Sequence, residues 1–268
     1  MGFYDLSKYE RVKQVNKICQ DINNDLSKCE IGNIIGYFSK EDTYIRKTAY
    51  QAIGKIYRTH EDLKSTILTT LEKLLNSDIA NVRQTAINAA GEIGMHDFDP
   101  VTGFFDKGLF DPHHSVRNAV IGSIKKMGEK NPQAVLKWSE QYLHHPDKEI
   151  RREICHGLEL RGRTHPQDIL PALKQLQYDK SVRVRNMLIH VLGQIAYKKG
   201  CLEIVIRALN EWDNQELVEK TLEEIAEVHG RYRNFASMTQ QEAINYIEKN
   251  YIKFSKNKNF YSIGRRKK

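Results

Sequence analysis

Several residue types and patterns are scarce in this 268-residue chain, and each scarcity excludes a class of function. Cys19, Cys29, Cys155 and Cys201 are the only cysteines; they are too scattered for a zinc site and too few for a disulfide framework, so four reduced thiols are expected. No stretch approaches the roughly 18 consecutive apolar residues of a membrane-spanning helix. The N-terminal residues Met1 to Asp5 lack the basic segment and apolar stretch of a secretory signal. Gly2 is followed by Leu6, where N-terminal acylation wants serine or threonine. There is no phosphate-cradling glycine loop, no Ser-His-Asp order and no HExxH pair. A cytoplasmic protein is therefore expected, with no membrane partner, no cofactor and no metal.

Charge is abundant, and its position matters more than its total. The net charge is +8, but residues 253–268 contribute +7 of it and the remaining 252 residues only +1. Between Ile150 and Arg207 eleven basic residues face five acids, a local +6; the segment from Glu211 to Glu227 follows at −6. A polyanion would be drawn to the first of these segments and repelled by the second. The basic tail either adds to that attraction or folds back on the acidic segment. Rich in lysine, asparagine and serine, it has nothing to bury, and disorder is expected.

The strongest positive signal is repetition. An aliphatic residue followed by arginine occurs at Ile45-Arg46, Val82-Arg83, Val116-Arg117, Ile150-Arg151 and Val184-Arg185, with the arginines 37, 34, 34 and 34 residues apart. Counting from each aliphatic anchor, offsets 4, 8 and often 11 are apolar, the buried face of a 3.6-residue helix. The second repeat gives Val82, Ala86, Ala90 and Ile93; the fifth gives Val184, Leu188, Leu192 and Ile195. Another apolar stretch precedes each helix, with Pro132 and Pro166 at first-turn positions. Asp42, Asp78, Asp111, Asp147 and Asp179 sit in the turns, suited to capping. Gly94, Gly128 and Gly162 lie twelve residues past their anchors, where glycine commonly ends a helix in a left-handed conformation.

A period near 34 residues implies helical hairpins, each unable to bury its apolar face alone. The segments Asp78 to Gly94, Asp111 to Gly128 and Asp147 to Gly162 resemble HEAT repeats, and the resemblance extends over residues 31–228. It implies an all-α fold, a right-handed α-solenoid of about six HEAT-like hairpins. The expected organisation is an N-terminal capping helix region (1–30), the solenoid (31–230), a C-terminal helix (231–252) and the basic tail (253–268). The sixth repeat has Val218 where arginine would stand, as suits a terminal cap. Thr239 and Glu242 form a capping box ahead of the last helix.

The arginines have two readings: a ladder holding neighbouring repeats in register through turn aspartates, or guanidinium forks for phosphate. The outward columns are the better functional probe. Offset two gives Lys47, Gln84, Asn118, Arg152 and Asn186; offset six gives Gln51, Asn88, Gly122, His156 and His190; neither carries an acid. Offset ten adds Lys55, Glu92, Lys126, Leu160 and Gln194. Such columns suit hydrogen bonding to nucleic acid or to an acidic peptide, although they also fit an ordinary solvated face. Asn118, Arg152, His156, Asn186 and His190 are the candidate contacts, with Lys180 and Arg183 near the rim. The pairs His113-His114 and His144-His145, along with Cys155-His156, suggest metal, but adjacent side chains on a turn diverge and the two histidine pairs fall at different offsets. Trp138, Tyr142, Tyr178 and Trp212 are expected to pack.

Finally, Lys130 to Leu136, its echo Thr164 to Leu170, and Ser237 to Ile244 resemble segments of HEAT-like DNA alkylation-repair proteins. That resemblance implies a glycosylase holding duplex DNA in a basic groove. The family's activity depends on groove-facing aromatics and a carboxylate, whereas these columns hold only Glu92 as an acid and no tryptophan. No catalytic residue transfers. The leading expectation is a non-catalytic scaffold for nucleic acid; the alternatives are a glycosylase and a scaffold for protein partners. A maturation factor similar to HEAT-like chromophore lyases has no support beyond the repeat.

Overall fold

The computed structural model describes residues 3–253, and the expectations for the basic tail fall almost wholly outside them. The described residues are all-α, an architecture of the α-solenoid class, with no strand among them. The described residues form two compact units, the first ending at Val135 and the second beginning at Leu136. The first contains α1 (Lys8–Ser27), α2 (Gly32–Phe38), α3 (Thr43–Thr59), α4 (Lys64–Leu75), α5 (Ala80–Gly94), α6 (Thr102–Gly108) and α7 (His114–Lys130). Helix α8 (Pro132–Glu140) spans the boundary. The second contains α9 (Lys148–Gly157), α10 (Glu159–Gly162), α11 (Pro166–Lys174), α12 (Val182–Ala196), α13 (Leu202–Leu209), α14 (Gln215–Arg231) and α15 (Gln240–Asn250). The helices that begin at or near the anchors are α3, α5, α7, α9, α12 and α14.

The apolar offsets form the core. Val82, Ala86, Ala90 and Ile93 of α5 are inaccessible to solvent, as are Val184, Leu188, Leu192 and Ile195 of α12. Each large aliphatic side chain buried this way contributes about 1.5–3 kcal/mol. Ile45, anchor of the first repeat, is only half-buried, because it lines a surface hollow with Phe3 and Leu6. Val218 of α14 is fully buried, so the position beside the anchor has joined the core in the last repeat. At the ends, Ser7 and Glu10 cap α1 reciprocally, and Thr239 and Glu242 do the same for α15.

The arginine ladder is internal. Arg83 donates to the carbonyls of Ser77 (2.8 Å) and Asp78 (3.1 Å), and reaches Asp111 with Nε at 2.7 Å and Nη2 at 3.0 Å. Arg151 repeats this pattern on His145 and Pro146 (2.6 and 3.0 Å) and on Asp179 (2.5 and 2.9 Å). Arg83 and Arg151 therefore each close their own turn and clamp the turn 28 residues on, and Arg46, Arg117 and Arg185 also bond the carbonyls of their own turns. Burial pushes the Asp111 carboxyl up, but the Arg83 hydrogen bonds and the His113 amide outweigh it and the net shift is downward. Asp179 is lowered in the same way, by Arg151 and the Ser181 amide against burial.

Two turn expectations need correction. Asp42 and Asp147 do cap their helices, yet ahead of α5 the Ser77 hydroxyl accepts from the Ile79 amide in place of Asp78. The terminal glycines are not left-handed: among the described residues only Gly200 and Cys29 have positive φ. Gly94 and Gly162 are buried at close approaches, where an added methyl would overlap Met127 and Ile195 respectively. The sequence signal was real, but its cause is packing.

Candidate binding face

In the second unit, α9 and α12 pack side by side and bring offset six of both helices together: the rings of His156 and His190 lie 6.2 Å apart, edge to face. Offset ten behaves likewise in the first unit, where Lys126 Nζ of α7 meets Glu92 Oε1 of α5 at 3.5 Å. Equal offsets thus become neighbours across adjacent repeats.

Of the candidate residues, Asn118 is exposed on α7 in the first unit; the other six lie in the second. Lys180, Arg183 and Asn186 are exposed, while Arg152, His156 and His190 are half-buried. Arg152 Nε bonds Glu149 Oε2 at 2.9 Å, and its Nη2 lies 3.5 Å from Glu153 Oε1. Arg183 Nη1 stands 2.9 Å from the other Glu149 oxygen, so one carboxylate holds two guanidinium groups. Further along, His156 Nε2 lies 3.2 Å from Glu159 Oε2. Arg163 Nη2 meets Glu159 Oε1 at 2.5 Å and donates to Gln194 Oε1 at 2.8 Å.

Glu149, Glu153, Glu159 and Arg163 are residues that reading down fixed columns missed. The acids sit one residue before the anchor and three and nine residues after it, beside the columns at offsets two and six, which hold no acid. Their signal was available as i,i+3 pairs: Glu149 with Arg152, and His156 with Glu159. Their burial was not, because it depends on α12 lying alongside. Glu153 and Glu159 are buried, and Glu149 is partly covered.

The structure also brings together a group of possible ligands that adjacency along the chain does not suggest. His156, Glu159 and His190 each present a ligating atom, all within 4.8 Å of one another. Adjacency along the chain was the wrong test, since histidines 34 residues apart share one offset. The neighbouring pairs are otherwise engaged. His113 accepts from the Ser115 amide at the start of α7, His144 meets Gln175 Oε1 at 2.7 Å, and His145 accepts from the Asp147 amide. Among the aromatics, Trp138 and Trp212 are buried as expected, but Tyr178 is 64% exposed on the α11–α12 turn. All four cysteines are free thiols; Cys155 is fully buried, which pushes its ionisation up.

Residues 135–226 match the family model for HEAT repeats. Among solved structures, the chain is similar to an archaeal HEAT-like repeats protein from Thermococcus onnurineus NA1 at 16% identity, covering 83% of this chain and 98% of that one, with a TM-score of 0.38. It is also similar to a designed armadillo repeat protein in complex with the peptide (KR)4, at 17% identity over 73% of this chain and 99% of that one, TM-score 0.37. No curated protein matches. None of these findings supports the alkylation-repair resemblance. HEAT repeats fit a binding scaffold, and no helix among the described residues is long and apolar enough to cross a membrane.

Proposed function

We propose that this chain is a non-catalytic HEAT-repeat scaffold whose second unit binds nucleic acid through the face formed by α9 and α12. The supporting observation is the layering of charge. Glu153 and Glu159 lie buried and Glu149 partly covered, while Lys180, Arg183 and Asn186 stand exposed. A partner approaching this face meets cations and amide groups before it meets carboxylates. Phosphate contacts of this kind position a nucleic acid without reading its sequence.

The test is binding of non-specific DNA and RNA as salt is raised. Affinity should fall steeply, with a slope that drops by about one for each phosphate-contacting lysine or arginine removed. Charge reversal at Arg152 and Arg183 should abolish binding. If both reversals leave it untouched, the face is not the site and the basic tail becomes the alternative.

A protein partner is the second reading, favoured by Tyr178 and Val182, 64% and 58% exposed beside Lys180. An apolar pair next to a cation suits a protein interface with an aromatic anchor. Pull-down with and without nuclease separates the two readings: a partner retained after nuclease treatment supports the protein version.

A further inference from the structure

We propose that His156, Glu159 and His190 form a binding site for a divalent transition-metal ion, with zinc foremost. The site shares its histidines with the face described above but does not depend on that face binding nucleic acid. Two imidazoles and one carboxylate are a donor set suited to zinc with a further coordination position left open. The three side chains arrive from separate helices: His156 from α9, Glu159 from α10 and His190 from α12. Their ligating atoms already lie within 4.8 Å of one another.

The spacing supports this reading. Tetrahedral donors at about 2.0–2.1 Å from zinc stand about 3.3 Å apart, and His156 Nε2 and Glu159 Oε2 are 3.2 Å apart. One edge of the coordination polyhedron is therefore in place, and rotation of the His190 side chain supplies the third donor. Outside the donors, Arg163 holds Glu159 by its other oxygen at 2.5 Å and is itself held by Gln194 at 2.8 Å. Such second contacts fix a carboxylate for coordination. Two imidazole nitrogens in the donor set favour a borderline ion over a hard cation such as Mg2+. Glu159 is buried, whereas both histidines keep partial exposure, so the open position faces solvent.

The experiment titrates the full chain, stripped with EDTA and free of nucleic acid, with Zn2+ by calorimetry and with Co2+ by visible absorption. One ion per chain is expected, with the intense d–d bands of four- or five-coordinate Co2+ and no displacement by excess Mg2+. His156→Asn and His190→Asn should each weaken binding at least about tenfold, while His144→Asn, outside the cluster, should not change it. Circular dichroism checks that the variants fold. Should one fail to fold, selective Co2+ broadening of the His156 and His190 imidazole signals in the unaltered protein decides the matter. Absence of stoichiometric binding, binding that survives loss of both histidines, or broadening centred on other residues overturns the site. None of these readouts depends on nucleic-acid affinity.

Discussion

The α5–α7 seam of the first unit and the α9–α12 seam of the second are built from the same repeat, and they differ in how much charge they bury: the first buries one carboxylate, Glu92 against Lys126, and the second buries two, Glu153 and Glu159. In the first, Ala86, Ala89, Ala90 and Gly91 are all buried, and a methyl on Gly91 would overlap Ser123. In the second, offset nine is Glu159 instead of Gly91, and offset six is the pair His156 and His190 instead of Asn88 and Gly122. One seam gains stability from close dispersion contacts. The other buries carboxylates that are tolerable only with partners, which here are Arg152, Arg163 and His156. The backbone template is indifferent to this choice. What a seam can do is set by the handful of positions flanking its anchors.

The largest expected effect tests what the two units share. Asp111→Ala in the first unit and Asp179→Ala in the second each strand an arginine that is mostly covered, and each should cost about 2–3 kcal/mol. Urea denaturation followed by circular dichroism reads both. A loss confined to one variant would mean that the clamp is not a common device.

A smaller effect separates the seams. Gly91→Val forces the α5–α7 contact apart and should cost about 1–3 kcal/mol, whereas Glu159→Gln in the second unit should cost about 1 kcal/mol, since Arg163 still finds an amide oxygen. Equal costs in the two denaturation curves would mean that the α5–α7 seam is no more tightly packed than the α9–α12 seam.

The third effect is a matter of pH. Asp111 and Asp179 are held below their ordinary 3.8, so the stability they confer is full above that pH and drains as pH falls through their folded values. The second unit adds His229, fully buried on α14. Burial lowers its pKa below 6.5 despite the Ile225 carbonyl, so its contribution is full above pH 6.5 and is lost as the pH falls toward its folded value. Both tryptophans, Trp138 and Trp212, lie in the second unit, so their fluorescence should report softening there at mildly acidic pH, before the carboxylate window opens. His229→Gln should remove the early phase; its persistence would assign the phase elsewhere.

Much of the fold was legible because hydrophobic burial is periodic. Anchors such as Val82 and Val184 could be placed in the core from spacing alone, and the capping box at Thr239 and Glu242 from residue type alone. The glycines illustrate the limit. Their recurrence was visible, but Gly162 is small because Ile195, 33 residues later, packs onto it, and no local pattern contains that contact. Tyr178 was expected to pack and is exposed, because it falls on the turn after α11 and not within the helix. The candidate face was half legible. The histidines were found at offset six, while Glu153 and Glu159 escaped because a column drawn along one helix omits the residues that the next helix covers.

The sequence by itself determined the repeat, its period, the buried stripe of each helix and the location of excess charge, since these depend on residue type and spacing along one chain. Only the tertiary structure decided that Arg83 and Arg151 clamp the next turn and that Gly94 and Gly162 mark contacts. It also decided that two histidines from different repeats lie within 4.8 Å of one buried glutamate. Those facts belong to pairs of helices, and the distances between helices are set by packing that no single segment encodes.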